Sequence, residues 1–351
     1  MSIPNHAQDA QDRYFMMLAI EQAKQGLYTT RPNPAVGCVI VQAETIVGQG
    51  FHPKAGEPHA EVFALKDAGA QAIGATAYVT LEPCSHTGRT PPCALGLIEA
   101  GVKRVVIAGL DPNPQVSGRG VRLLEEAGIA VTVGVLTAQA EALNRGFLKA
   151  MRTQMPYVRL KIATSLDGRT AMASGESKWI TSTAAREDVQ KLRAQSGAII
   201  TGSETVIADN PQLNVRSTQL SVPAEQVPAP KIVILDRRQR LEHNPQADYQ
   251  LCRQADTLYW REDNLTALLK NLVSEHQCYD VLVEAGASVA GSFLSQQLVD
   301  EMIVYQAPCL LGAQARPMVD FSPLTLAQQL RFDIHRHEQL TPDLKLTLHP
   351  L

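Results

Sequence analysis

LEPCSHTGRTPPC (81–93), taken with His59-Ala60-Glu61 upstream of it, decides how the first half of this chain is read. Two thiols, Cys84 and Cys93, each follow a proline, and one imidazole precedes them. An imidazole and two thiolates make a zinc set, and three protein ligands leave the fourth tetrahedral position to water, the mark of a catalytic rather than a structural site. Such a water ionises near a pKa of about 7, and Glu61 is the carboxylate that can carry its proton. Both cysteines stand where a helix can begin, and free N–H groups there favour thiolates. One geometric condition applies. Residues i and i+2 lie about 200° apart on a regular helix, so His59 and Glu61 share a site only if His59 stands at the helix start. His86 is a competing ligand, whereas Cys38 lies in an apolar run and reads as core.

Outward from this stretch, helix and strand signals alternate. VGCVIV (36–41) and TIVGQGF (45–51) read as strands paired across a short turn. HAEVFALKDAG (59–69), CALGLIEAG (93–101) and GRGVRLLEEAG (118–128) read as helices, and TAYVTLE (76–82), RVVIAGL (104–110) and IAVTVGV (129–135) as strands. Residues 11–27 suit an amphipathic helix with Tyr14, Phe15, Met17 and Leu18 on its apolar face, and residues 137–152 a further helix. Strands separated by helices imply a layered α/β fold. Pro156 then marks a break, which divides the chain into domains 1–152 and 153–351.

The second domain restarts with YVRLKIATSLDG (157–168) and offers apolar strand candidates at 198–201, 231–236, 279–286 and 301–308, with a helix opening near Ser182. The stretch 217–230 reads as a surface loop, and 240–278 says least. VEAGASVAGSFL (283–294) is a strand running into a glycine-bearing helix start, a place where backbone N–H groups can hold a phosphate. It is not GxGxxG, so the Rossmann fingerprint is absent.

Composition narrows the function classes. The chain has 351 residues, 45% hydrophobic and 19% charged, which is ordinary globular usage, so wholesale disorder is excluded. The net charge of −3 falls entirely in the second domain: residues 1–152 hold 13 basic and 13 acidic side chains. Nothing there suggests a nucleic-acid groove, which needs clustered Lys and Arg. No apolar run approaches the ~20 residues of a membrane span, and the first residues do not form a secretory signal. In a cytoplasmic chain of this size the six cysteines are not a disulfide framework, and most read as reduced core residues. A small substrate is favoured, and a homo-oligomer is the prior for a soluble enzyme.

His-x-Glu followed by two Pro-Cys units is the signature of zinc-dependent base deaminases, except that their usual Pro-Cys-x-x-Cys is here stretched to eight intervening residues. PNPAVG (32–37), GFHPKAGEPHAE (50–61), LEPCSHTGRTPPC (81–93) and DPNPQVSGRG (111–120) resemble the bifunctional riboflavin-biosynthesis deaminase–reductases, long spacer included. Three motifs of the second half, at 161–181, 201–216 and 283–294, resemble the reductase domain of the same family.

The resemblance implies a cytidine-deaminase-like three-layer α/β/α zinc domain followed by a dihydrofolate-reductase-like α/β domain that uses NADPH. It implies hydrolysis of the C2 amine of 2,5-diamino-6-ribosylamino-4(3H)-pyrimidinone 5′-phosphate, then reduction of the ribosyl group to a ribityl chain. In the deaminase, His59, Cys84 and Cys93 would hold zinc and Glu61 would move protons, with Asn33, His52, Arg89 and Asn113 on the substrate. In the reductase, the implied cofactor contacts are Ala163, Trp179, Thr205, Asp209 and the run Gly286, Ala287, Ser288, Val289, Ala290, Gly291 and Ser292. Arg237, after the strand KIVILD, is a candidate for the 2′-phosphate of NADPH. Substrate contacts are implied at Ser177, Arg193, Leu213, Arg216 and Glu284, with Arg193 and Arg216 suited to the 5′-phosphate and Lys161 to proton handling. Two other readings compete: a single-activity deaminase of another small base with a non-reductase second half, and a non-catalytic zinc-stabilised binding module. Glu61 argues against the second, because a structural site needs no carboxylate beside its metal.

Overall fold

Alanine and glycine, more than the large side chains, set the packing of the first sheet. The computed structural model describes residues 6–85, 92–113, 117–242, 248–254 and 256–351, in two units, Met1–Thr153 and Gln154–Leu351. In the first unit, α1 (His6–Gln25) lies against β1 (Gly37–Gln42) and buries Phe15, Met16, Ala19, Ile20 and Ala23. Tyr14 and Met17, assigned above to the apolar face, are instead about half exposed. The contact runs through Ala19 and Ala23, because a Cβ on Gly37 would stand 2.0 Å from the Ala19 carbonyl oxygen; small residues decide where the helix can approach.

β2 (Thr45–Phe51) pairs antiparallel with β1 as the sequence suggests, and α2 (Ala60–Ala68) packs back over it. β3 (Thr76–Val79), α3 (Cys93–Glu99), β4 (Arg104–Ile107), α4 (Arg119–Glu126) and β5 (Ala130–Val133) complete a sheet of order β2-β1-β3-β4-β5, with β3, β4 and β5 parallel. One face carries the cluster of Ala60, Ala64, Leu97 and Leu124 from α2, α3 and α4, and the other carries α1, so the layers are α/β/α. The single helix expected over 137–152 is two, α5 (Thr137–Glu141) and α6 (Arg145–Thr153). Between them the Asn144 amide accepts from Ala35 N–H at 2.7 Å and donates to Ala35 carbonyl at 2.9 Å, an exchange that fixes the entry to β1.

The second unit has one large sheet and a small one. Its elements are β6 (Tyr157–Ser165), β7 (Arg169–Ala171), α7 (Thr183–Gln195), β8 (Ala198–Gly202), α8 (Ser203–Asp209), β9 (Lys231–Leu235), β10 (Leu258–Trp260), α9 (Leu265–Ser274), β11 (Asp280–Val283), α10 (Ala287–Ser295), β12 (Glu301–Ala307), β13 (Arg316–Pro317), β14 (Phe332–Leu340) and β15 (Asp343–Pro350). The small sheet is the antiparallel pair of β7 and β13. The order of the large sheet is β10-β9-β8-β11-β6-β12-β15-β14, parallel from β10 to β12 and antiparallel at β15 and β14. Its apolar strands have helices over both faces, as parallel sheets require. Ser182 caps α7 by accepting the Ala185 N–H at 3.2 Å, where the sequence placed a helix start. Residues 217–230 are mostly loop, with one short 3-10 turn at Ala224–Gln226. Among the described residues, no helix is long and apolar enough to cross a membrane.

Candidate active sites

At the carboxyl end of β3, three side chains from three segments converge. His59 is the N-cap of α2, in extended conformation (φ −76°, ψ 168°), so its ring leaves the helix while Glu61 sits in the first turn. The i, i+2 condition is met in this way. Gly50 makes the approach possible, because a Cβ there would lie 2.7 Å from the Ala60 carbonyl oxygen. His59 Nδ1 stands 3.6 Å from Cys84 Sγ and 3.3 Å from Cys93 Sγ, and all three donor atoms lie within 4.8 Å of one another. Tetrahedral zinc, with Zn–S about 2.3 Å and Zn–N about 2.0 Å, sets neighbouring donors about 3.6 Å apart, so the set fits zinc. Cys93 opens α3 as expected, but Cys84 does not begin a helix; it lies in the loop after β3, and the Cys93 N–H serves it at 3.3 Å. The Cys93 thiol and the His59 ring hold the Cys84 thiol well below its usual value against its burial, while Cys84 pushes Cys93 up. Cys38 is fully buried in β1.

Glu61 is 3% exposed. Its Oε2 has no hydrogen-bond partner among the described residues, and burial pushes its carboxyl up to about 7. A proton-accepting group facing a reacting centre is expected to have that character.

Beside the metal ligands, the His52 ring packs edge-on to His59 at 5.3 Å between centroids. His52 Nδ1 is 3.0 Å from the Pro58 carbonyl and Nε2 is 3.1 Å from Asn33 Nδ2. A carbonyl can only accept, so Nδ1 carries the proton and Nε2 accepts from the amide. Burial holds the His52 pKa below its usual value. The Asn33 amide is therefore oriented from behind by a buried ring. Asn113 follows β4, with its N–H on Asp111 Oδ1 at 2.8 Å and its carbonyl on the Ser117 N–H at 2.9 Å. Arg89 and His86 lie outside the described residues.

In the second unit, a cavity of about 860 Å³ opens at the carboxyl ends of β6, β8, β9 and β11, the usual ligand position of open parallel sheets. Lys161, Ala163, Ser177, Thr205, Asp209, Arg237, Glu284, Gly286, Ala287, Ser288, Val289 and Ser292 all line it. The N-terminus of α10 therefore faces the cavity, as an anion cradle would. Ala290 and Gly291 turn the other way: Ala290 is fully buried, and a Cβ on Gly291 would meet the Asp320 carbonyl oxygen at 2.0 Å. Size, helix terminus and basic rim fit a dinucleotide.

Three implied contacts are set apart from the rest. Arg193 faces a carboxylate: Nε and Nη2 grip Glu284 at 3.0 and 2.7 Å, and Nη1 donates to the Asn214 carbonyl at 3.3 Å. Leu213 buries its side chain in the core at φ +48°, which leaves only its backbone for a ligand. Trp179 does not line the cavity, and its ring, 69% exposed, carries the Arg186 guanidinium at 4.5 Å from the centroid. Arg216 bonds Asn214 Oδ1 at 2.8 Å. Lys161 Nζ lies 3.6 Å from Glu284 Oε1. Burial works to raise the Glu284 carboxyl, yet Arg193 and Lys161 bring it down to about 2. Sequence reasoning missed Arg238, Arg240 and Arg316, which join Arg237 on the cavity wall. Arg237 pairs with Asp263 at 2.7 Å and Arg240 with Glu204 at 2.5 Å.

A zinc-type base-deaminase unit joined to a nucleotide-cofactor reductase unit is the class that these folds and sites define. The family descriptions agree: residues 9–109 match the cytidine and deoxycytidylate deaminase zinc-binding region, and residues 156–346 match the RibD C-terminal domain. Riboflavin biosynthesis protein RibD of Haemophilus influenzae is 49% identical over 97% of this chain and 98% of its own length. RibD of Escherichia coli is 48% identical over 96% and 99%. Acinetobacter baumannii RibD superposes with a TM-score of 0.93 at 55% identity, covering 98% of this chain and 99% of that one. A deaminase/reductase from Thermotoga maritima gives 0.88 at 33%, over 98% and 100%. The chain belongs to the RibD family of riboflavin biosynthesis enzymes, with a hydrolytic deaminase and a reductase in one polypeptide and zinc and NADPH as cofactors. The single-activity alternative loses its footing, since the second half matches the family's own reductase domain.

Proposed function

We propose that residues 1–152 deaminate 2,5-diamino-6-ribosylamino-4(3H)-pyrimidinone 5′-phosphate and that residues 153–351 then reduce its ribosyl group. The convergence of His59, Cys84 and Cys93 beside a buried Glu61 carries this reading. Those three side chains would hold zinc, which when bound would let water ionise at neutral pH. Glu61 takes the water's two protons in turn, passing the first to the ring nitrogen beside C2 and the second to the departing amine, so that water and the C2 amine become a carbonyl and ammonia. Asn33, held by His52, presents its amide to the ring edge, and Asn113 and Arg89 bind the rest of the substrate, Arg89 through its phosphate.

The second site would hold NADPH, which when bound would supply a hydride to C1′ of the ribosyl group. Lys161 hands a proton to the sugar's ring oxygen as its bond to C1′ breaks, the C1′–N bond being kept, and Glu284, gripped by Arg193, holds Lys161 in place. Arg216 and Ser177 contact the substrate; Thr205, Asp209 and the first turn of α10 contact the cofactor, and Arg237 its 2′-phosphate. We infer a cytoplasmic homo-oligomer acting on a small phosphorylated pyrimidine; light scattering on the purified chain tests the assembly.

The direct test supplies the diaminopyrimidinone phosphate to the full chain with and without NADPH and identifies products by mass. Without NADPH, the product should have exchanged amine for oxygen; with it, the product should be two hydrogens heavier again. An unchanged pyrimidine in both reactions overturns the reading.

A further inference from the structure

Glu82 is 4% exposed, and neither metal binding nor proton transfer as described above uses its carboxylate. Among the described residues, every hydrogen bond it accepts comes from one neighbourhood. Oε1 accepts the N–H groups of Gly120 at 3.0 Å and Val121 at 3.4 Å. Oε2 accepts those of Gly118 at 3.0 Å and Asp111 at 3.3 Å. Two of these donors belong to the first turn of α4, whose N–H groups have no partner within the helix and favour an anion. Bonds from N–H to a carboxylate are about twice as strong as neutral ones. The donors lie on both sides of Asn113 in the chain.

The fit is close enough to exclude a side chain. A Cβ on Gly120 would stand 2.1 Å from the Pro83 carbonyl oxygen and 3.2 Å from Glu82 Oε1. Glu82 also donates its own N–H to the Gly109 carbonyl at 3.0 Å. Two residues further along the chain is the metal ligand Cys84. One carboxylate thus ties the loop that bears a metal ligand to both flanks of Asn113, which lies beyond the zinc-binding region matched at residues 9–109.

We propose that Glu82 is a positioning residue of the deaminase: it holds residues 111–113 and 117–121 against the loop of Cys84, so that Asn113 meets the substrate at a fixed place beside the metal centre. This deepens the reading of Asn113 as a substrate contact and rests on it. The chemistry stays with Glu61 and the metal ligands, so the effect of Glu82 falls on substrate binding.

The test uses the full chain carrying Glu82→Gln, Glu82→Asp, Gly120→Ala or Asn113→Ala. Zinc per chain, NADPH-dependent reduction of the deaminated intermediate, and KM and kcat for ammonia release are measured. Glu82→Gln turns an amide N–H toward backbone N–H groups; it should keep zinc and reductase activity, raise KM about tenfold and leave kcat within about threefold. Glu82→Asp should recover part of the loss, and Gly120→Ala, acting from the other side, should reproduce the same KM effect. A wild-type KM in Glu82→Gln overturns the proposal, as does loss of zinc with a fall in kcat alone, which would make Glu82 a support of the metal ligand. Should Glu82→Gln fail to fold, Gly120→Ala decides by the same criteria. Asn113→Ala with a wild-type KM removes the reading of Asn113 and the proposal with it; a raised KM there with no effect in Glu82→Gln removes the proposal alone.

Discussion

The candidate metal centre of the first unit takes its donors and its proposed proton carrier, Glu61, from residues 59–93, and each is held by an adjacent helix start or a buried partner. The cavity of the second takes its lining from residues 161–320, and its central charged group, Glu284, is held by Arg193 and Lys161 from two other elements. A metal needs few donors of rare chemical type, close together; a dinucleotide needs a long wall, much of it backbone and aliphatic. The first kind of site concentrates its function in one or two side chains, whereas the second spreads it. Substitutions should therefore separate the units sharply in one direction and by degrees in the other.

Glu61→Gln should produce the largest effect, a loss of ammonia release of about 10³-fold with zinc retained and reductase turnover unchanged. Substantial residual deamination would remove Glu61 from the proton path and weaken the contrast. Lys161→Met should lower reductase kcat by about 10²-fold and leave deamination untouched; an equal fall in both activities would show that the sites are not separable. Arg237→Ala should weaken NADPH binding about tenfold, measured by fluorescence titration, with NADH binding unchanged, because only NADPH carries the 2′-phosphate. Equal weakening of both cofactors would move that role to Arg238, Arg240 or Arg316.

The smallest effect concerns pH. The Glu284 carboxyl is brought from 4.5 to about 2 in the folded chain. A depressed carboxylate stabilises the fold fully above its unfolded pKa and loses that contribution as pH falls through the folded value. Melting of the second unit should therefore be insensitive to this group above pH 4.5 and weaken from there toward about 2. Glu284→Gln should flatten that slope, and an unaltered slope would assign the acid sensitivity elsewhere.

The same contrast explains what the sequence disclosed. His59, Cys84, Cys93 and Glu61 stand out because their types and spacing have few other uses, and Gly286 with the start of α10 shows as a strand–glycine–helix join. The pairing of Arg193 with Glu284 is not legible, because sequence cannot say whether a guanidinium faces solvent or a buried carboxylate. The packing face of α1 was misjudged because Ala19, Ala23 and Gly37 govern the approach, and small residues carry no hydropathy signal. The β14–β15 hairpin is hard to read because FDIHRHEQL is an edge strand, mostly exposed, with polar residues through its middle. Glu82 leaves only a faint trace in the sequence: an acidic residue before Pro-Cys, and a Gly-x-Gly at the start of α4 that lets the backbone come against it.

Metal content measured against ammonia release bears most directly on the whole account. Chelation of the full chain, followed by stepwise return of zinc, should restore deamination in proportion to zinc and level off at one ion per chain, with NADPH-dependent reduction constant throughout. A metal-free chain that releases ammonia at the full rate would contradict it.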